Sequence, residues 1–134
     1  MSSQLYSVLI DAAKQNYQNF MHNVWTALGS VMVAIGWVLT SVEARKFIIN
    51  NESVKWILIW IILAFLLVHV AVIIWHRYKS EQLLKMLGST EFFKSKIIEQ
   101  SHLEIYCIPL IWVYVTAIMN SALLLFLIYL IFEV

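Results

Sequence analysis

His69 lies inside Trp56–Trp75, WILIWIILAFLLVHVAVIIW, a stretch with no Asp, Glu, Lys or Arg. An imidazole can exchange protons, ligate a metal or hydrogen-bond, and in hydrocarbon it must face protein or water because exposure to lipid is costly. Counting inward from the flanking polar residues at 1.5 Å per residue puts Ser30 and His69 at a depth of ~12 Å, Thr116 at ~15 Å and Asn120 at ~21 Å. The first three fall at nearly one level on three different helices. Ser30, His69, Thr116 and Asn120 are therefore candidates either for a polar stripe lining a water or ion path or for interhelical contacts that set packing register. If they line a path, Asn120→Leu or His69→Leu abolishes conductance.

His22, His76 and His102 form a second group, one beside each apolar stretch, with Glu104 and Cys107 near His102. Three imidazoles can hold zinc, but this spacing matches no metal signature, so neither a metal nor another cofactor is expected. A bis-histidine haem within one chain is excluded at the depth of His69, because neither other span has a histidine there. No catalytic residues are assigned either. A membrane hydrolase or kinase needs a nucleophile, an acid or a metal-binding carboxylate close to the membrane, and the spans contain no carboxylate. Small three-span lipid kinases share this size and an amphipathic N-terminal helix, and their catalytic span carries glutamates around an Asn-Ser-Ala core. Here Asn120-Ser121-Ala122 has no glutamate beside it, so that resemblance is rejected and a non-enzyme is expected.

The elements that must position these residues are membrane helices. The chain has 134 residues, 62% hydrophobic and 13% charged, whereas soluble domains are about 45–50% apolar and about 25% charged. Crossing a ~30 Å hydrocarbon core takes roughly 20 residues. Three charge-free stretches meet that length: Val24–Val42, Trp56–Trp75 and Ile105–Phe132. The expected fold is all-α, an integral membrane protein in one domain spanning residues 1–134. It comprises an amphipathic helix over 1–22, a first span over 23–42, a second over 55–77, a helical loop over 78–103 and a third span over 105–132. The formal net charge of +1 gives no case for nucleic-acid binding. With Cys107 alone, no intrachain disulfide forms. Residues 1–23 lack the basic start, apolar core and small-residue end of a signal peptide, so the first span is expected to remain as an anchor.

Leu5, Leu9, Ala13, Tyr17, Phe20 and Val24 recur at helical steps and make the N-terminal segment amphipathic. It is expected to lie on the membrane surface or pack under the bundle. The first span is rich in small residues: Ala27, Gly29, Ala34 and Gly36 let helix backbones approach closely in lipid. They are the helix-packing candidates, within the chain or between copies. This helix is expected to run past Ser41 towards Ile49. Asn50, Asn51 and Ser53 then supply the cap for the second span, and Asn51-Glu52-Ser53 is a chance match to the glycosylation sequon. Trp56, Trp60, Trp75 and Tyr78 mark the two interfaces of the second span. Gly88 is a natural stop, followed by a short helix from Ser89 or Thr90 to about Gln100. Pro109 suits the first turn of the third span.

Three spans put the termini on opposite sides. Lys14, Arg77, Lys79, Lys85, Lys94 and Lys96 fall on one side, against Arg45, Lys46 and Lys55 on the other. The excess makes the N-terminus cytoplasmic and the C-terminus external. The partners expected are the lipid bilayer, further copies of this chain, and other membrane subunits. Two functions fit: a homo-oligomer forming a pore or permeability pathway, as toxins, defence effectors and holins do, or a non-catalytic accessory subunit of a larger membrane complex.

Overall fold

The computed structural model describes residues 2–88 and 108–133. Among them every element is helical: α1 (Ser2–Thr40), α2 (Val42–Asn50), α3 (Glu52–Gly88) and α4 (Leu110–Glu133), with no strand. Helices α1, α3 and α4 are each long and apolar enough to cross a membrane. The short helix expected from Ser89 to Gln100, with His102, Glu104 and Cys107, lies outside the described residues.

Three boundaries differ from expectation, each for a local reason. The amphipathic segment and the first span are one helix, since Ser2–Leu28 contains neither Gly nor Pro. That helix does not continue past Ser41. Ser41 adopts φ −89° and ψ 107°, and its Oγ accepts from the Ala44 amide at 3.1 Å, so it N-caps a new helix. Arg45 reaches back and donates to the Val38 carbonyl at 3.1 Å and to that of Leu39, which serves acceptors that the end of α1 leaves open. The third helix begins at Leu110 rather than at residue 105. The Pro109 carbonyl accepts from the Trp112 and Val113 amides at 3.0 and 3.3 Å, so proline stands just outside the helix, where its missing N–H costs nothing.

The join between α2 and α3 is a single residue. Asn51, at φ −130° and ψ 83°, donates its side-chain amide to the Phe47 carbonyl at 2.8 Å. Its own carbonyl accepts from the Lys55 amide at 3.1 Å.

At 1.5 Å per residue α1 and α3 are each about 55 Å long, well beyond a hydrocarbon core. The chain groups into two compact units, each taking part of these helices. The first combines Met1–Asn23 with Val72–Tyr114 and holds Asp11 and Lys14 of α1 and Arg77, Lys79, Glu81 and Lys85 of α3. Tyr6 and Leu87 are buried there with Leu9 and Ile10 against them. Ala13, Asn16, Phe20, Ile73, His76 and Ser80 are also buried. Of the expected apolar stripe, Ala13, Phe20 and Val24 are buried and Leu9 and Tyr17 half-buried; Leu5 is exposed, and Asn16 joins the buried face.

The second unit combines Val24–Ala71 with Val115–Val134. Its core is aliphatic: Val31, Ile35 and Val38 of α1, Ile48 of α2, Ile59 and Ile62 of α3, and Leu124, Leu127 and Ile131 of α4. Along α3, residues 59, 66, 73, 80 and 87 and residues 62, 69, 76 and 83 alternate in a heptad, and all are buried or half-buried. Such a seam lets helices pack side by side in lipid, where close fit replaces the hydrophobic drive.

Candidate functional site

In the second unit, α3 and α4 bring His69 and Asn120 together. Asn120 Nδ2 lies 3.0 Å from His69 Nε2 and donates to the Thr116 carbonyl, one turn back, at 2.9 Å. With its amide donating to both, Asn120 requires Nε2 to accept, so the neutral imidazole carries its proton on Nδ1. His69, Thr116 and Asn120 are all buried, Asn120 to 1% exposure. The Phe65 ring stacks on His69 with centroids 6.0 Å apart and planes at 5°. One atom is left over: among the described residues, Asn120 Oδ1 is buried and has no donor.

Ser30 does not join this group. It is exposed, and its hydroxyl donates to the Thr26 carbonyl at 2.8 Å. The four polar candidates therefore do not form one surface, and Asn120, expected deeper than His69, is the residue that meets it. Three are interior, and Ser30 lines an open groove with Ile61, Phe65 and Leu124.

The small residues of α1 are divided in the same way. Ala27 is buried, and Ala34 packs against the aliphatic core. Gly29 is exposed and Gly36 half-buried, and a Cβ built on either meets nothing within 4 Å. At 3.6 residues per turn, Thr26, Gly29, Ser30, Gly36 and Thr40 share one outward flank of the helix. Thr26, Ser30 and Thr40 are all exposed, and Thr40 donates to the Gly36 carbonyl at 2.7 Å. The back-bonded hydroxyls are satisfied without water, yet each keeps lone pairs that can accept another hydrogen bond.

In the first unit, α1 and α3 build a polar network that sequence reading missed. His76 is 4% exposed and Asn16 2%. Asn16 donates to the His76 carbonyl at 3.0 Å, and its Oδ1 accepts from His76 Nδ1 at 2.9 Å. Asn23 Nδ2 lies 3.0 Å from His76 Nε2. One assignment serves all three contacts: a neutral imidazole protonated on Nδ1, with Nε2 accepting from Asn23. The Phe20 and Trp75 rings meet His76 edge-on, at 6.3 and 5.1 Å. Just beyond, Arg77 donates to the Ile108 carbonyl and pairs with Glu81 at 2.6 Å, and Ser80 Oγ accepts from the Ile108 amide at 3.4 Å. A usable signal was present. His69, His76 and Ser80 fall on the α3 heptad, Thr116 and Asn120 are one turn apart on α4, and Asn16 lies one turn from Phe20. In helices that are otherwise apolar, polar residues in such register mark the inward face.

His22 is exposed, and among the described residues no three His, Cys, Asp or Glu side chains gather as metal ligands would. Asp11, Glu43, Glu52 and Glu133 are exposed, and Glu81 is half-buried and paired with Arg77. The interior chemistry of the described residues is thus that of amides, imidazoles and hydroxyls, which hydrogen-bond and relay protons. No protein-family model matches this sequence, and no curated protein or solved structure matches it either.

Proposed function

We propose that the chain is a multi-pass membrane protein, N-terminus cytoplasmic and C-terminus opposite, whose copies assemble into a permeability pathway for ions or small solutes. The observation that carries this reading is the outward flank of α1. Thr26, Gly29 and Thr40 are exposed, with half-buried Gly36 and the groove-lining Ser30 beside them, on a helix long and apolar enough to cross a bilayer. Glycine costs about 1 kcal/mol relative to alanine in a helix interior, and no contact within the chain requires it at either position. A neighbouring copy supplies the missing reason: two glycines seven residues apart permit close backbone approach. The hydroxyls on the same flank then meet at the assembly axis and offer acceptors to water and cations. His69 and Asn120, buried against one another, act on the fold rather than on the pathway.

A second reading has its own support. The polar residues of both interiors are paired within the chain, as suits an accessory subunit that contributes packing to a larger membrane complex. The mass of the detergent-purified protein and flux from liposomes separate the two. A pathway former gives a defined oligomer that leaks ions. Gly29→Leu with Gly36→Leu returns it to monomer, and Thr26→Leu with Ser30→Leu abolishes flux without changing the mass. Gly29→Ala and Gly36→Ala leave the fold intact and raise its stability by up to about 1 kcal/mol each. A wild-type monomer without flux sinks the proposal and leaves the accessory role.

A further inference from the structure

We infer that the cavity lined by Ile49, Glu52, Lys55, Trp56 and Phe132 seats the headgroup of a zwitterionic phospholipid. This rests on membrane insertion alone and stands whether or not copies of the chain assemble.

The cavity measures about 280 Å³, near the ~300 Å³ lower end of small-molecule sites. That volume suits a headgroup rather than a whole lipid. Its position is set by Trp56, the first residue of the charge-free run of α3, where an aromatic side chain marks the level of lipid headgroups. Glu52 and Lys55 stand one turn apart on α3, the spacing at which opposite charges ordinarily pair. Here they do not. Lys55 is drawn to α4, donating to the Phe132 carbonyl at 3.2 Å with its ammonium 5.3 Å from the Phe132 ring centroid. Its two other N–H groups remain available. Glu52 is exposed, and among the described residues its carboxylate has no ion pair. Trp56 and Phe132 pack edge-on at 5.9 Å and give the cavity an aromatic wall.

The lining thus offers a separated cation and anion beside aromatic rings. A zwitterion matches this pair: its phosphate meets Lys55, and its ammonium meets Glu52 and the face of Trp56. An anionic headgroup satisfies Lys55 but faces Glu52 with like charge. Selectivity for phosphatidylethanolamine over phosphatidylglycerol is the signature.

The test is native mass spectrometry of the full chain, stripped of lipid in detergent and titrated with each of these two lipids and with soluble phosphoethanolamine. A charge at a membrane surface changes affinity about five-fold. Wild type is expected to retain phosphatidylethanolamine about five-fold more strongly than phosphatidylglycerol. Glu52→Gln should bring that ratio to about one, and Lys55→Gln should weaken retention of both lipids about five-fold. Lys55 also anchors α4, so the exposed Glu52 variant carries the test if Lys55→Gln misfolds. Equal retention by wild type, or an unchanged ratio in Glu52→Gln, overturns the inference. So does binding of phosphoethanolamine as tight as that of the lipid, which assigns the cavity to a soluble ligand.

Discussion

Each of the two units places a histidine of α3 against an asparagine from another helix, yet the two sites are completed differently. At His76 both ring nitrogens and the backbone carbonyl are engaged by Asn16 and Asn23 of α1. At His69 a single amide, Asn120, serves one ring nitrogen and the Thr116 carbonyl, and its own oxygen stays without a donor. A buried network stabilises when every member is satisfied, and a partly satisfied one adds little over apolar packing. The same two residue types therefore give a tight joint in one unit and a near-neutral one in the other.

Three variants break or sharpen this contrast. The largest effect is expected from Asn16→Ala, which leaves the buried His76 Nδ1–H without a partner and removes a second donor from the His76 carbonyl, whose helix bond remains. Stability should fall by about 3 kcal/mol, read from a denaturant titration in detergent micelles; a loss below about 1 kcal/mol would mean the network is not closed in solution. Asn23→Ala removes a single bond at a half-buried position and should cost about 1 kcal/mol in the same titration. The smallest effect belongs to the other unit. Replacing both partners, as in His69→Leu with Asn120→Leu, should change stability by no more than about 0.5 kcal/mol, because the orphaned oxygen leaves with the bond. A large loss in that double variant would show that Asn120 Oδ1 finds a donor in the membrane, such as a buried water.

Much of this fold was legible beforehand, because hydrocarbon tolerates only long runs of apolar helix and such runs are unmistakable. Counting along each helix was less informative: it set Asn120 about 9 Å deeper than His69, yet the two side chains meet at 3.0 Å, because the count takes no account of where each helix starts or how it tilts. Direction around the helix was harder. Ser30 is exposed at the mouth of a groove rather than buried with His69, because an i−4 carbonyl satisfies its hydroxyl and removes the penalty for leaving the core. Asn16 and Asn23 read as ordinary polar residues of an amphipathic segment, since only the register of His69, His76 and Ser80 on α3 shows which face of that helix is interior. At Ser41 the apolar pattern runs on and hides the break between α1 and α2, although its hydroxyl and Glu43 two residues on are the local chemistry of a helix start.

The seam along α3 also determines which kinds of inherited change this chain can absorb. Its buried positions keep a strict seven-residue beat from Ile59 to Leu87, so exchanging one outer aliphatic residue for another disturbs nothing. Adding or losing one residue between His69 and His76 would swing every later position on α3 by about 100°. His76, Ser80 and Leu87 would together leave the line that Ile59, Ile62 and His69 set along this helix. Drift by substitution is therefore open over most of this helix, while changes in its length are confined to whole heptads.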